Sequence, residues 1–100
     1  MKINFQFVNM LTSESLEAYT AKKLITLSKK YNTLIKAEVF FKKENDPKGN
    51  GKISEIELSL SGPRLFASSN EKNYEMAVKN TISDLEKQLK KRKGILKPFL

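Results

Sequence analysis

Residues 2–43 read KINFQFVNMLTSESLEAYTAKKLITLSKKYNTLIKAEVFFKK, and within them the spacing of apolar residues changes twice. Over residues 2–8, Ile3, Phe5 and Phe7 alternate with Lys2, Asn4 and Gln6, the period of two of a half-buried strand. Ser13 then offers a hydroxyl that can accept from an unpaired N–H of a first helical turn, and Glu14 and Glu17 sit at the positive end of the helix dipole. Leu16, Thr20, Leu24, Leu27 and Tyr31 recur at steps of three and four, which makes one apolar helical stripe, and Asn32 and Thr33 end it. From about 35 to 43 the period returns to two, with Ala37, Val39 and Phe41 set against Glu38, Phe40 and Lys42. Two strands joined through a helix lie parallel, in a right-handed crossover.

The remainder of the chain extends this unit. Residues 45–51 (Asn-Asp-Pro-Lys-Gly-Asn-Gly) are a loop by composition, with Asn50-Gly51 suited to reversing the chain. A third strand follows, Ile56, Leu58 and Leu60 inward and Glu55, Glu57 and Ser59 outward. Ser61-Gly62-Pro63 makes a tight connection to a fourth strand over about 64–69, and a second helix starts near Asn70. Its core stripe is Tyr74, Ala77, Val78, Ile82, Leu85 and Leu89, with Gly94 as its natural stop. The expected fold is therefore α+β, in the order β-α-β-β-β-α. Strands one and two are parallel, the rest antiparallel, and both helices cover one sheet face. There is no internal repeat or low-complexity segment; the reading is a single domain over 1–93 with a short apolar tail over 94–100.

One hundred residues are enough for one two-layer core. No apolar run approaches the roughly 20 residues that cross a bilayer, and the alternating N-terminus is no signal-peptide core, so a cytoplasmic protein is expected. The chain has no Cys and no His. It thus lacks the soft and imidazole ligands of transition-metal sites, and the one side chain that titrates near neutral pH unaided. No metal, cofactor or small-molecule substrate is expected, and catalysis is disfavoured. Glu55 and Glu57, two apart on one strand, are the best carboxylate pair for chemistry, but an exposed pair is the simpler reading.

The positive signal is charge: 19 Lys and Arg against 11 Asp and Glu, a formal +8. Such a field draws polyanions to a small body. On the first helix Lys22 and Lys29 project nearly together, and Lys23 and Lys30 form a second row beside them. On the second, Lys79, Lys87 and Lys90 align around Ser83, and Lys91, Arg92 and Lys93 cluster at the C-terminal end. A lysine on an exposed helix is ordinary, and basic residues near a C-terminus answer the dipole. The acids, however, lie mostly elsewhere, although Asp84 and Glu86 interrupt the second helix. If both helices pack on one sheet face, their outer sides form one basic surface. Phe5, Phe7 and Phe41 are inward, so a stacking platform on the sheet is poorly supported; Phe40 points to the opposite face and could stack, though burial in a contact or plain exposure is the simpler reading. Lysines without stacking read phosphate geometry, which suits a folded RNA better than a specific DNA sequence.

The second helix and its approach carry a resemblance. Arg64-Leu65-Phe66-Ala67-Ser68, then Asn73-Tyr74-Glu75-Met76-Ala77-Val78, then Ile82 through Lys91, resemble the signature of the ribosome hibernation-promoting factors, a family that includes the ribosome-associated inhibitor and sigma-54 modulation proteins. Ala21-Lys22-Lys23-Leu24, Leu27 and Lys30-Tyr31 are similar to the family's first helix, and the likeness spans roughly residues 2–93. It departs where the family often has Asp-Met-Tyr, since Asn73-Tyr74-Glu75 stands here, and the long members' C-terminal dimerisation domain has no counterpart, as in a short form. The resemblance implies a bacterial stress-response protein, similar in fold to double-stranded-RNA-binding domains and monomeric in isolation. It implies that the protein occupies the decoding region of the small ribosomal subunit, bars mRNA and tRNA, and so inhibits translation. It implies rRNA contact by Lys22, Lys23, Lys29, Lys30, Lys79, Lys87, Lys90, Lys91 and Arg92, with no membrane partner. The competing reading is a general double-stranded-RNA-binding module.

Overall fold

The computed structural model describes the backbone of residues 1–96 and the side chains of residues 1–92. Six elements follow in the expected order: β1 (Lys2–Val8), α1 (Glu14–Lys30), β2 (Leu34–Lys43), β3 (Lys52–Leu60), β4 (Leu65–Glu71) and α2 (Tyr74–Leu96). The sheet order is β1-β2-β3-β4. β1 and β2 are parallel, with Phe5 beside Val39 and Phe7 beside Phe41, and the two later pairs are antiparallel.

Alternation decides which side of the sheet is dry. Ala37, Val39 and Phe41 of β2, Ile56 and Leu58 of β3, and Leu65 and Ala67 of β4 are buried with Leu16, Leu24 and Leu27 of α1 and Val78, Leu85 and Leu89 of α2. Both helices therefore lie on one face. Phe41 is the hub: Phe5 stacks on it at 6.4 Å, Phe7 lies at 5.2 Å, and Tyr74 meets it edge-on at 5.8 Å. The Tyr74 hydroxyl donates to the Lys42 carbonyl at 2.9 Å, tying the start of α2 to the end of β2. Burial holds the Tyr74 hydroxyl proton more tightly than usual, raising its pKa above the ordinary tyrosine value.

Helix α1 begins as its sequence requires, Ser13 Oγ accepting from the Leu16 N–H at 3.2 Å. Helix α2 begins later than Asn70. Residues 70 and 71 instead pair with Ile53 and Lys52, extending β4, and the Asn70 side chain accepts from the Gly51 N–H at 2.7 Å. Asn73 is the cap, its side chain accepting from the Met76 N–H at 2.8 Å. The hairpin apex also shifts. Asp46-Pro47-Lys48-Gly49 makes the turn, closed by the Gly49 N–H on the Asp46 carbonyl at 3.0 Å and by Asp46 Oδ1 on the Lys48 N–H at 2.8 Å. Asn50-Gly51 lies on the return path. Gly51 has φ +112, and any Cβ there would collide with the Glu44 carbonyl oxygen. Helix α2 runs through Gly94 to Leu96, because one glycine in a last turn costs only about 1 kcal/mol. Residues 97–100 of the apolar tail lie outside the described residues. No helix among the described residues is long and apolar enough to cross a membrane.

Candidate nucleic-acid interface

The two helices run in the same direction, side by side. Three concavities along their seam establish this. The first joins Ser13, Ser15 and Tyr19 of α1's start to Asn73, Tyr74 and Glu75 of α2's start. The second joins Tyr19, Lys22, Lys23, Thr26, Leu27 and Lys30 to Ile82 and Glu86. The third brings Lys29, Lys30, Tyr31, Asn32 and Thr33 against Leu89 and Arg92, beside the Ser61-Gly62 turn. Both N-termini therefore sit at one pole of the domain, and α1's end lies against α2's last turns at the other.

This arrangement sorts the charges. Three acids of the helices, Glu14, Glu17 and Glu75, lie in first turns at the N-terminal pole. From Ala18 to its end α1 carries Lys22, Lys23, Lys29 and Lys30 and no acid. With Leu16, Leu24 and Leu27 fixed inward, a rotation of about 100° per residue puts Lys22 and Lys29 on α1's outer crest. Lys23 and Lys30 then lean toward α2. Lys23 rests its ammonium 5.0 Å above the Tyr19 ring, a cation–π contact that holds both side chains at the seam. Lys30 reaches across to Glu86 of α2, 3.3 Å away.

On α2, with Ala77, Val78, Leu85 and Leu89 inward, the same rotation places Lys79, Lys87 and Lys90 on the outer crest, all exposed. These seven lysines face one side. Two residues of the expected set do not join them. Lys91 is exposed but turned to the flank above β4. Arg92 follows Leu85 and Leu89 by seven and three residues and so points inward; its Nη1 is shut from solvent with no hydrogen-bond partner among the described residues. Helical spacing carries that information, but the charge of the residue hides it.

The opposite sheet face is polar and nearly neutral. Lys36 pairs with Glu38 at 3.0 Å, Lys42 with Glu55 at 3.1 Å, and Arg64 with Glu57 at 3.2 Å. The Asn4 side chain donates to Glu38 at 3.0 Å, and this bond, with that from Lys36, holds the Glu38 carboxyl below the usual glutamate range. Glu55 and Glu57 are thus engaged by cations. Phe40 and Phe66 lie on this face on strands separated by β3, so they do not form a continuous platform. Among the described residues there is no group of three or more carboxylates that could hold a metal.

Two solved structures share the fold. A ribosomal subunit interface protein from Coxiella burnetii superposes with a TM-score of 0.81 at 23% identity, covering 94% of this chain and 99% of that one. The N-terminal domain of Thermus thermophilus Protein Y gives 0.77 at 22% identity, covering 91% and 98%. No curated protein matches the chain. The description "Sigma 54 modulation protein / S30EA ribosomal protein" matches residues 3–97, nearly the full length and the same elements that position the lysines. The chain is a member of the sigma-54 modulation protein / S30EA ribosomal protein family, the one that includes the hibernation-promoting factors.

Proposed function

We propose that this protein inhibits translation by binding the decoding region of the small ribosomal subunit through its two-helix face, excluding mRNA and tRNA sterically. The carrying observation is the parallel pair of helices, with Lys22, Lys23, Lys29, Lys30, Lys79, Lys87 and Lys90 on one outer surface and the helix acids mostly at the far pole. Lysine ammonium groups on a rigid frame recognise the spacing of phosphates, not base sequence, which suits a folded ribosomal RNA. Family membership and the Coxiella neighbour's designation as a ribosomal subunit interface protein support the ribosome as target. In this reading Lys91 and Arg92 contribute from the margins, Lys91 from the flank and Arg92 from the end of the seam.

The mode of action is occupancy: no bond is made or broken, and no cofactor or small-molecule substrate takes part. The protein acts as a monomer in the bacterial cytoplasm during stress. Co-sedimentation with purified small subunits tests the proposal. Binding is expected and should weaken steeply as salt rises, because phosphate neutralisation releases counterions. Binding indifferent to salt, or absent, refutes it. Short RNA duplexes added as competitors should not displace the protein; displacement would identify a general double-stranded-RNA binder instead.

A further inference from the structure

Glu86 is an unexpected residue at the centre of a basic face. It is mostly sheltered, at 24% side-chain exposure, in a groove of about 360 Å³ between the helices. Were neutral packing all that the groove required, a carboxylate there would only weaken attraction for phosphate. Its surroundings have a different chemistry from the crests. Leu27 and Ile82 give the groove apolar lining, and the Tyr19 ring provides an aromatic wall fixed by Lys23. Lys22, Lys23 and Lys30 stand along one side, and Lys30 holds the Glu86 carboxylate at 3.3 Å. An aromatic wall, an apolar lining, one carboxylate acceptor and flanking cations are together the requirements of a nucleotide: its base, its base edge and its phosphates.

We infer that the groove between α1 and α2 receives one unpaired base of the bound RNA, with Glu86 accepting hydrogen bonds from its edge. The inference rests on the RNA-binding reading above and gives that face a base-selective subsite. The base packs on Tyr19 and the lining formed by Leu27 and Ile82. Its 5′ and 3′ phosphates lie within reach of Lys22 and Lys30. A carboxylate has two acceptor oxygens and no donor, so it favours bases presenting adjacent N–H groups. Guanine presents two, the ring N–H and the exocyclic amino group, side by side. Uracil presents one N–H flanked by two carbonyl oxygens, which a carboxylate repels. Guanine is therefore the preferred occupant. Lys30 holds the Glu86 carboxylate in position when the groove is empty.

Fluorescence anisotropy at low salt with three RNA hairpins of equal length tests this: one with a single bulged guanine, one with a bulged uracil and one fully paired. The bulged-guanine hairpin should bind about tenfold more tightly than the bulged-uracil one, the discrimination of one good bidentate contact. Glu86→Ala keeps a good helix former, so folding should be retained; circular dichroism checks this. This variant should weaken binding to the bulged-guanine hairpin, which loses its contact, while tightening binding to the other two, since a negative charge leaves the face, and so erase the guanine preference. Those opposite movements distinguish base recognition from simple charge. Tyr19→Leu should weaken binding to bulged hairpins about tenfold and leave the paired hairpin unchanged. Equal affinity for the three hairpins, or a guanine preference that survives Glu86→Ala, overturns the subsite and leaves the basic face standing. Failure of every hairpin to bind also overturns the subsite, and sedimentation with small subunits then decides the basic face on its own.

Discussion

Reversing Lys87 and Lys90 together tests whether the face, as opposed to the net charge, binds RNA. Both are exposed on the α2 crest, and neither makes an ion pair among the described residues. Their replacement should change stability by no more than about 0.5 kcal/mol, as is usual for free surface sites. A lysine about 4 Å from a phosphate gains about 1 kcal/mol in water-like surroundings, so changing it to glutamate costs about 2 kcal/mol at each site. Screening over about 8 Å at physiological salt removes roughly half of the combined 4 kcal/mol, leaving about 2 kcal/mol. Lys87→Glu with Lys90→Glu should therefore weaken binding to small subunits roughly 30-fold. The slope of log affinity against log salt should flatten by about two units. The control is Lys48→Glu with Lys72→Glu, the same change in net charge at exposed sites near the opposite pole. Its expected effect in the same filter-binding or sedimentation series is far smaller. Equal losses from the two doubles would show that net charge alone governs binding. An unchanged affinity in a folded Lys87/Lys90 variant would show that RNA meets another surface.

Three further predictions concern the frame that holds this face. Thr20 is fully buried and its hydroxyl has no hydrogen-bond partner among the described residues, so Thr20→Val should stabilise the domain by about 1 kcal/mol and raise the Tm by roughly 4–8 °C, read by thermal melting; a lower Tm would mean that the hydroxyl has a partner. Gly51→Ala combines a positive φ with a collision against the Glu44 carbonyl and should cost about 2 kcal/mol or more in urea unfolding, an expectation that wild-type stability would refute. Tyr74 holds its proton more tightly folded than unfolded, so its contribution is complete below the unfolded tyrosine value of about 10 and is lost as pH rises through the higher folded value. Urea midpoints should fall above about pH 10, and Tyr74→Phe should remove that part of the fall; an equal alkaline loss in the variant would assign it to other groups.

The fold was largely legible because each element carries its own period. Ile3, Phe5 and Phe7 alternate as a strand must, and Leu16, Thr20, Leu24 and Leu27 recur as a buried helical stripe must. What local pattern does not contain is the partner. Asn70 and Glu71 look like the opening of a helix, yet β3 offers them Ile53 and Lys52, and pairing extends the strand. Asp46-Pro47-Lys48-Gly49 takes the turn from Asn50-Gly51 because Pro47 and Gly49 suit its positions while Gly51 is needed where backbone approaches backbone. Thr81 is wholly buried, its hydroxyl donating to the Ala77 carbonyl at 2.8 Å, although a polar residue gives no apolar signal. Likewise the lysine rows on each helix were readable from spacing, but not their relation. That Lys30 meets Glu86, that Tyr19 walls the seam and that Lys91 turns to the flank depend on how α1 and α2 pack.

The common direction of the helices has a consequence for how the lysines coexist. A concentration of like charge ordinarily works against its own scaffold, so that stripping functional residues away makes a protein sturdier. Here the last carbonyls of α1, with Lys29 and Lys30 in its final turn, lie against the end of α2's basic segment. Each such terminus carries about half a negative elementary charge, and cations placed there gain roughly 0.3–1 kcal/mol. The backbone thus acts as a built-in counterion, absorbing part of the mutual repulsion before any nucleic acid arrives. Activity and durability need not trade against each other at that pole, and neutralising Lys29 and Lys30 should soften the fold slightly instead of hardening it.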